Sequence, residues 1–195
     1  MPKLMYQGHG SYRLTADDGR IVYVDPHKGK GYDVPADIIL VTHQHHDHNK
    51  IQRCAQKCDC RIITNMEALE NGKHNSFDVN GIMILAVEAS NKLHDPKKCV
   101  GYIITLDGVK IYAGGDTSKT AQMDSFAAMG LDYALFPGDG IFNMGPDEAA
   151  ECARIIGAKH NILIHLKPGE SVRKKYEKWN APNKLLIEPG AEIQL

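Results

Sequence analysis

The chain has 195 residues, 43% hydrophobic, 24% charged and 7% aromatic, the proportions of a globular protein long enough to bury a core without staples. That composition excludes a disordered chain, a coiled coil and a collagen-like fibre. With 23 basic and 24 acidic residues the formal charge is −1, so no net field draws the protein to nucleic acid or an anionic membrane.

The opening residues lack the basic-then-apolar order of a secretion signal, and the apolar runs at 38–41 and 82–87 are strand-sized, too short to span a membrane. Cys54, Cys58, Cys60, Cys99 and Cys152 form an odd set, read as reduced thiols of a cytoplasmic protein. Strand-like runs over 4–7, Ser11–Thr15 and 20–25 are separated by Gly8-His9-Gly10 and Asp17-Asp18-Gly19, hairpin punctuation that predicts an antiparallel meander. The apolar run 37–42 reads as a strand covered on both faces. Ile51, Cys54 and Ala55 fall at helical spacing and predict a helix over 49–57, then a buried strand over 61–64 and a short helix around 66–70.

Strands are predicted over 82–87, 100–107 and 109–115, the last two joined at Asp107-Gly108. A helix over 119–129 precedes a strand over 132–137. The helix Pro146–Ile156 has Pro at its first position and Asp147 and Glu148 in its first turn, and Gly157 ends it. A strand over 161–166, a polar helix over 171–179 and a strand over 184–189 complete the chain. Strand-rich segments feeding strand–helix units, twice over, predict an α/β protein of αββα type, a four-layer sandwich with two mixed sheets face to face and helices outside. No linker or repeat divides it, so one domain over 1–195 is expected.

Four of the ten histidines fall in His43-Gln44-His45-His46-Asp47-His48, directly after a buried strand. Leaving the strand in extended form, the chain sends His43 and His45 to one side, where they can converge. Asp47 and His48 can face a second point nearby. Imidazole and carboxylate suit a dication such as zinc. One loop cannot close two coordination spheres, and His94, Asp116 and His165 stand at other predicted strand ends.

At these residues the sequence resembles the metallo-β-lactamase superfamily, whose His-x-His-x-Asp-His signature is met by His43, His45, Asp47 and His48. The resemblance extends through Val24-Asp25-Pro26, Ala113-Gly114-Gly115-Asp116-Thr117 and the stretch from Leu135 to His165. Gln7-Gly8-His9, Asn91 to Pro96 and Val100-Gly101-Tyr102 point to the branch of ascorbate-phosphate-lactonase-like hydrolases. It implies two divalent ions, zinc first and manganese, iron or nickel as alternatives: one held by His43, His45 and His94, the other by Asp47, His48 and His165, with Asp116 bridging. His74 is the other histidine available in place of His94. Asp25 is the candidate to hold a ligand imidazole by its second nitrogen. Asp139, in Pro137-Gly138-Asp139-Gly140, departs from the family pattern; it either touches substrate or shapes the turn.

Two dications roughly 3.5–4 Å apart can share a hydroxide at neutral pH. The expected activity is therefore hydrolysis of a small, anionic ester, lactone or phosphodiester. Asp47, Asp116 and His9 are the catalytic candidates: Asp47 to orient the water, His9 either to donate to the oxyanion from the rim or to serve only as a turn residue. His46 should point away, His27, His74 and His160 read as surface residues, and Cys54, Cys58 and Cys60 as buried thiols at a helix end rather than a zinc site. Arg173-Lys174-Lys175 is a solvated face or a contact for an anionic group. The competing readings are a superfamily nuclease acting on RNA or DNA, and a metal-binding protein that keeps the fold without turnover. The charge balance argues against nucleic acid and membrane partners, and a homo-oligomer stays open.

Overall fold

An antiparallel meander, β1 (Lys3–Gly8), β2 (Ser11–Thr15) and β3 (Ile21–Val24), opens the structure, a computed structural model that describes residues 1–195. β4 (Ala36–Val41) lies parallel to β3, and β5 (Gln56–Thr64) parallel to β4. The last strand, β13 (Glu192–Gln194), pairs with β1 and completes a six-stranded sheet in the order β13-β1-β2-β3-β4-β5. The second sheet begins with the antiparallel run β6 (Ser76–Val79), β7 (Ile82–Glu88), β8 (Val100–Leu106) and β9 (Val109–Ala113). It continues with parallel strands β10 (Tyr133–Pro137), β11 (His160–Ile164) and β12 (Lys184–Leu185), in the order β12-β11-β10-β9-β8-β7-β6.

One core of 46 buried residues takes side chains from both sheets, among them Tyr6, Leu14 and Leu40 of the first and Ile84, Tyr102, Tyr112 and Phe136 of the second. The principal helix, α2 (Pro146–Ile156), follows α1 (Asn65–Ala68) and precedes α3 (Val172–Tyr176). Ala149, Cys152, Ala153 and Ile156 form the buried stripe of α2, at the spacing that keeps one helical face on the core. Gly157 ends it in the left-handed conformation and returns its N–H to Ala153 O. The architecture agrees with the expected pair of facing mixed sheets, but its helices are few and short. The outer face of the first sheet is covered by loops: Tyr32 and Cys54 pack on Ile21, Tyr23, Ile39 and Val41 in a small second cluster. No helix is long and apolar enough to cross a membrane.

The helix expected over 49–57 is a single 3-10 turn, Ile51–Arg53. Ala55 N–H donates to Tyr32 O and its carbonyl accepts from Ala36 N–H; these non-local bonds pull the chain into β5. The segment expected as a helix over 119–129 is a 3-10 stretch, Ala121–Met129, and the strand expected over 184–189 stops at Leu185. Glu188 instead reaches α3, where its carboxylate accepts from Ser171 Oγ and from the N–H groups of Val172 and Arg173. Arg173 and Lys174 are exposed, and Lys175 pairs with Glu170 at 2.9 Å.

The loop between β3 and β4 is fastened to the meander beneath the site. Gln7 Nε2 donates to Lys30 O, and the single Tyr23 Oη proton lies between Gly31 O and Val34 O, 2.8 and 2.9 Å from the hydroxyl oxygen. Gly29, at φ +89°, lies so close to β1 that a Cβ would sit 1.9 Å from Gln7 O. Gly29→Ala is expected to lower Tm by roughly 5–10 °C, because left-handed strain alone costs about 1–3 kcal/mol and the clash adds to it. Gly19→Ala, at φ +87° with nothing nearby, measures the strain without the clash and should cost less in the same thermal unfolding experiment.

Candidate metal centre

Within each sheet the candidate residues follow strands that share one direction. β1 and β3 both run against β2, and β4 runs with β3; β7 and β9 both run against β8, and β10 and β11 run with β9. Carboxyl ends of strands are where open α/β sheets place ligands. His9 follows β1, Asp25 follows β3, His43 to His48 follow β4, His94 follows β7, Asp116 follows β9, Asp139 follows β10 and His165 follows β11. His9, Asp25 and His165 have φ values of +55°, +47° and +69°, strained for residues with a Cβ and typical of functional sites.

Donor atoms of His43, His45 and His94 lie within 4.8 Å of one another, and so do those of Asp47, His48 and His165. Asp116 stands between the sets. Its Oδ2 is 3.3 Å from His94 Nε2, while its Oδ1 is 3.1 Å from His165 Nε2 and 3.3 Å from His48 Nε2.

The rings are aimed by bonds at their other nitrogens. Asp25 Oδ2 accepts from His48 Nδ1 at 2.8 Å and from Thr42 Oγ1 at 2.7 Å. Thr42 Oγ1, its proton thus committed, accepts from His43 Nδ1 at 3.0 Å. Asn91 Oδ1 accepts from His94 Nδ1 at 2.8 Å, its amide oriented by Leu93 N–H and by its own Nδ2 bonds to Phe142 O and Asn143 Oδ1. His165 Nδ1 lies 3.0 Å from Asp139 Oδ2. His43, His48 and His94, each with its proton on the bonded Nδ1, therefore present an Nε2 lone pair inward. Nε2 of His43 and of His94 and Oδ1 of Asp116 are buried without a hydrogen-bond partner, and the Nε2 atoms of His48 and His165 stand 3.3 Å apart. Lone pairs converging at such distances repel one another unless a proton or a metal cation lies among them. The donor set fits divalent metal ions.

Burial, followed by the neighbouring His48, pushes the His43 pKa down to about 2, and burial also lowers His94. Burial would lower His48 and His165 as well. The carboxylates of Asp116 with Asp25 at the first, and of Asp116 with Asp139 at the second, reverse this and raise His165 to about 10. Burial works against ionisation of Asp116, yet His48 and His165 hold its carboxyl well below the usual range.

Residues 3–165 match the profile of the beta-lactamase superfamily domain. The chain belongs to this superfamily. Relatives include UPF0173 metal-dependent hydrolases of Methanospirillum hungatei, 30% identical over 99% of each chain, and of Thermococcus onnurineus, 29% identical over the whole of both. A Parabacteroides distasonis structure named as a metal-dependent hydrolase superposes with a TM-score of 0.77 at 28% identity, over 96% of this chain and 93% of the other. A metallo hydrolase of Ignicoccus hospitalis, at 19% identity, shares the fold with a TM-score of 0.75 over 100% and 99% of the two chains.

The superfamily signature and the three distant residues meet in one site. His45 is the exposed member; its ring centroid lies 4.5 Å from that of His43 and 4.9 Å from that of His94. His46 is exposed but not turned away as expected: its Nδ1 lies 3.9 Å from Asp47 Oδ1 and it lines the adjoining cavity; His74 enters none of the clusters. Asp139 shapes its turn, accepting from Ile141 and Phe142 N–H at 2.7 Å each and from Asn143 Nδ2, and also faces His165. The histidines expected at the surface are all half-buried: His160 stacks on Tyr133, and the His27 ring lies 5.7 Å from His9, its pKa pushed down to about 4 by burial and then by that neighbour. His160 and His27 are covered because each packs on another ring. Of the thiols expected to be buried at a helix end only Cys54 is buried; Cys58 is exposed and Cys60 half-buried because both lie on β5, and none joins a metal cluster. Sequence reasoning missed Thr42 and Asn91. The one available signal was their position, directly before His43 and three residues before His94.

Proposed function

We infer that the chain is a metal-dependent hydrolase, and propose that two divalent cations, zinc first among them, serve it in cleaving a small anionic ester, lactone or phosphodiester. The supporting observation is the division of Asp116, one oxygen toward His94 and the other toward His48 and His165. Such a carboxylate suits two cations held side by side. A bound pair would supply an activated water at neutral pH and offset the charge that develops on the substrate.

The chain's own residues do the rest. Asp47, half-buried at the edge of the centre, would orient the attacking water and take its proton. Beside it opens a cavity of about 410 Å³, within the range of small-molecule sites, with His45, Asp47, His94 and His165 on its inner wall. Leu93 and Phe142, 59% and 57% exposed, form apolar sides that can seat the unreactive part of a substrate and exclude water from it.

Elemental analysis is expected to find two transition-metal ions per chain. Activity against a lactone panel or a bis-aryl phosphodiester should vanish with chelator and return when metal is restored. Protein that takes up no metal on dialysis would overturn this function.

A further inference from the structure

His9 does more than the rim donor of the sequence reading. Its Nδ1 lies 3.0 Å from the carbonyl oxygen of Leu166. A carbonyl only accepts, so the proton is on Nδ1. In the neutral ring Nε2 then carries a lone pair, aimed at Asp47 Oδ2 3.1 Å away. Two acceptors that close repel one another unless a cation lies with them. Donor atoms of His48 and His165 complete the group: those of His9, Asp47, His48 and His165 all lie within 4.8 Å of one another.

We propose that His9 Nε2 is a direct ligand of the cation held by Asp47, His48 and His165, an inference that rests on the two-cation reading above. That half of the centre is then closed by three imidazoles and a carboxylate, with Asp116 shared. His9 cannot donate to an oxyanion in this ring state, because its one N–H is used on Leu166.

The backbone supports the same assignment independently. His9 sits at φ +55°, and its carbonyl accepts from Tyr6 Oη at 2.8 Å and from His165 N–H at 2.7 Å, which fix the strained turn. Its ring centroid lies 3.8 Å from that of His165. The next residue, Gly10, admits no side chain: a Cβ would stand 2.8 Å from His48 Cε1. The turn is therefore pressed into the ligand rings, and a residue that merely reverses the chain would need none of these constraints.

The competing arrangement is an imidazolium at His9 that donates to Asp47 and only positions it. Loading the full chain with ¹¹³Cd²⁺, with histidine ¹⁵N-labelled, separates the two. Ligation predicts scalar coupling between cadmium and His9 ring nuclei, matching that of His48 and His165, and a single ring N–H on His9, at Nδ1. His9→Gln should weaken the second cation at least about tenfold. Cadmium coupling to His48 and His165 but not to His9, or wild-type affinity in His9→Gln, overturns the proposal while the two-cation reading stands. Coupling to no histidine overturns both.

Discussion

Replacing Asp116 with alanine is expected to remove at least one bound cation and to lower kcat/KM more than about 100-fold, beyond the usual cost of losing an outer partner. The carboxylate faces both donor sets, with oxygens 3.1–3.3 Å from His48, His94 and His165 Nε2. Without it each set keeps its imidazoles, but nothing ties the two cations together. The fold should survive, because Asp116 lies beyond the end of β9 and outside the apolar core. Metal counting, far-ultraviolet circular dichroism and kinetics on one preparation test this. Normal turnover with two ions per chain would mean that Asp116 is not the shared ligand. Asp116→Asn keeps the volume without the charge and should lose nearly as much.

The legible part of this centre was the part written locally. His43, His45, Asp47 and His48 fall on six consecutive residues after an apolar run, so their convergence follows from strand geometry. His94, Asp116 and His165 were legible as residues at strand ends and through the family resemblance, since spacing alone says nothing about which ends adjoin. Asn91 and Thr42 were not legible, because an amide or hydroxyl that sets a tautomer has no pattern of its own. The fold divides similarly. Ser11–Thr15 and Pro146–Ile156 have the expected bounds because turns, caps and alternation agree there. The hairpin of β6 and β7 was missed although Asn80-Gly81, both at positive φ, is a strong local signal. At 49–57 the helical spacing was real, but bonds from Tyr32 and Ala36 outweighed it, and no local pattern records bonds made across some twenty residues.

Asp25→Asn should weaken both cations, each by about 10–100-fold, where Asp116→Ala can spare one. Asp25 is buried, and its carboxylate only accepts: from Thr42 N–H at Oδ1, and from Thr42 Oγ1 and His48 Nδ1 at Oδ2. An amide has one accepting end and one donating end. With its oxygen toward Thr42 N–H, its NH2 faces Thr42 Oγ1 and His48 Nδ1. His48 must then accept at Nδ1 and carry its proton on Nε2, the nitrogen needed inward. Thr42 Oγ1, now accepting from the amide, turns its own proton to His43 Nδ1, and His43 likewise becomes protonated at Nε2. One substitution thus reverses a ring in each donor set through two short relays. The flipped amide avoids this only by setting its NH2 against the buried Thr42 N–H, an unmade bond that costs about 1–3 kcal/mol. Metal titration of Asp25→Asn, with ring-nitrogen spectra of His43 and His48, reads both outcomes; wild-type affinity for both cations would show that the Asp25 relay does not set the ligand tautomers.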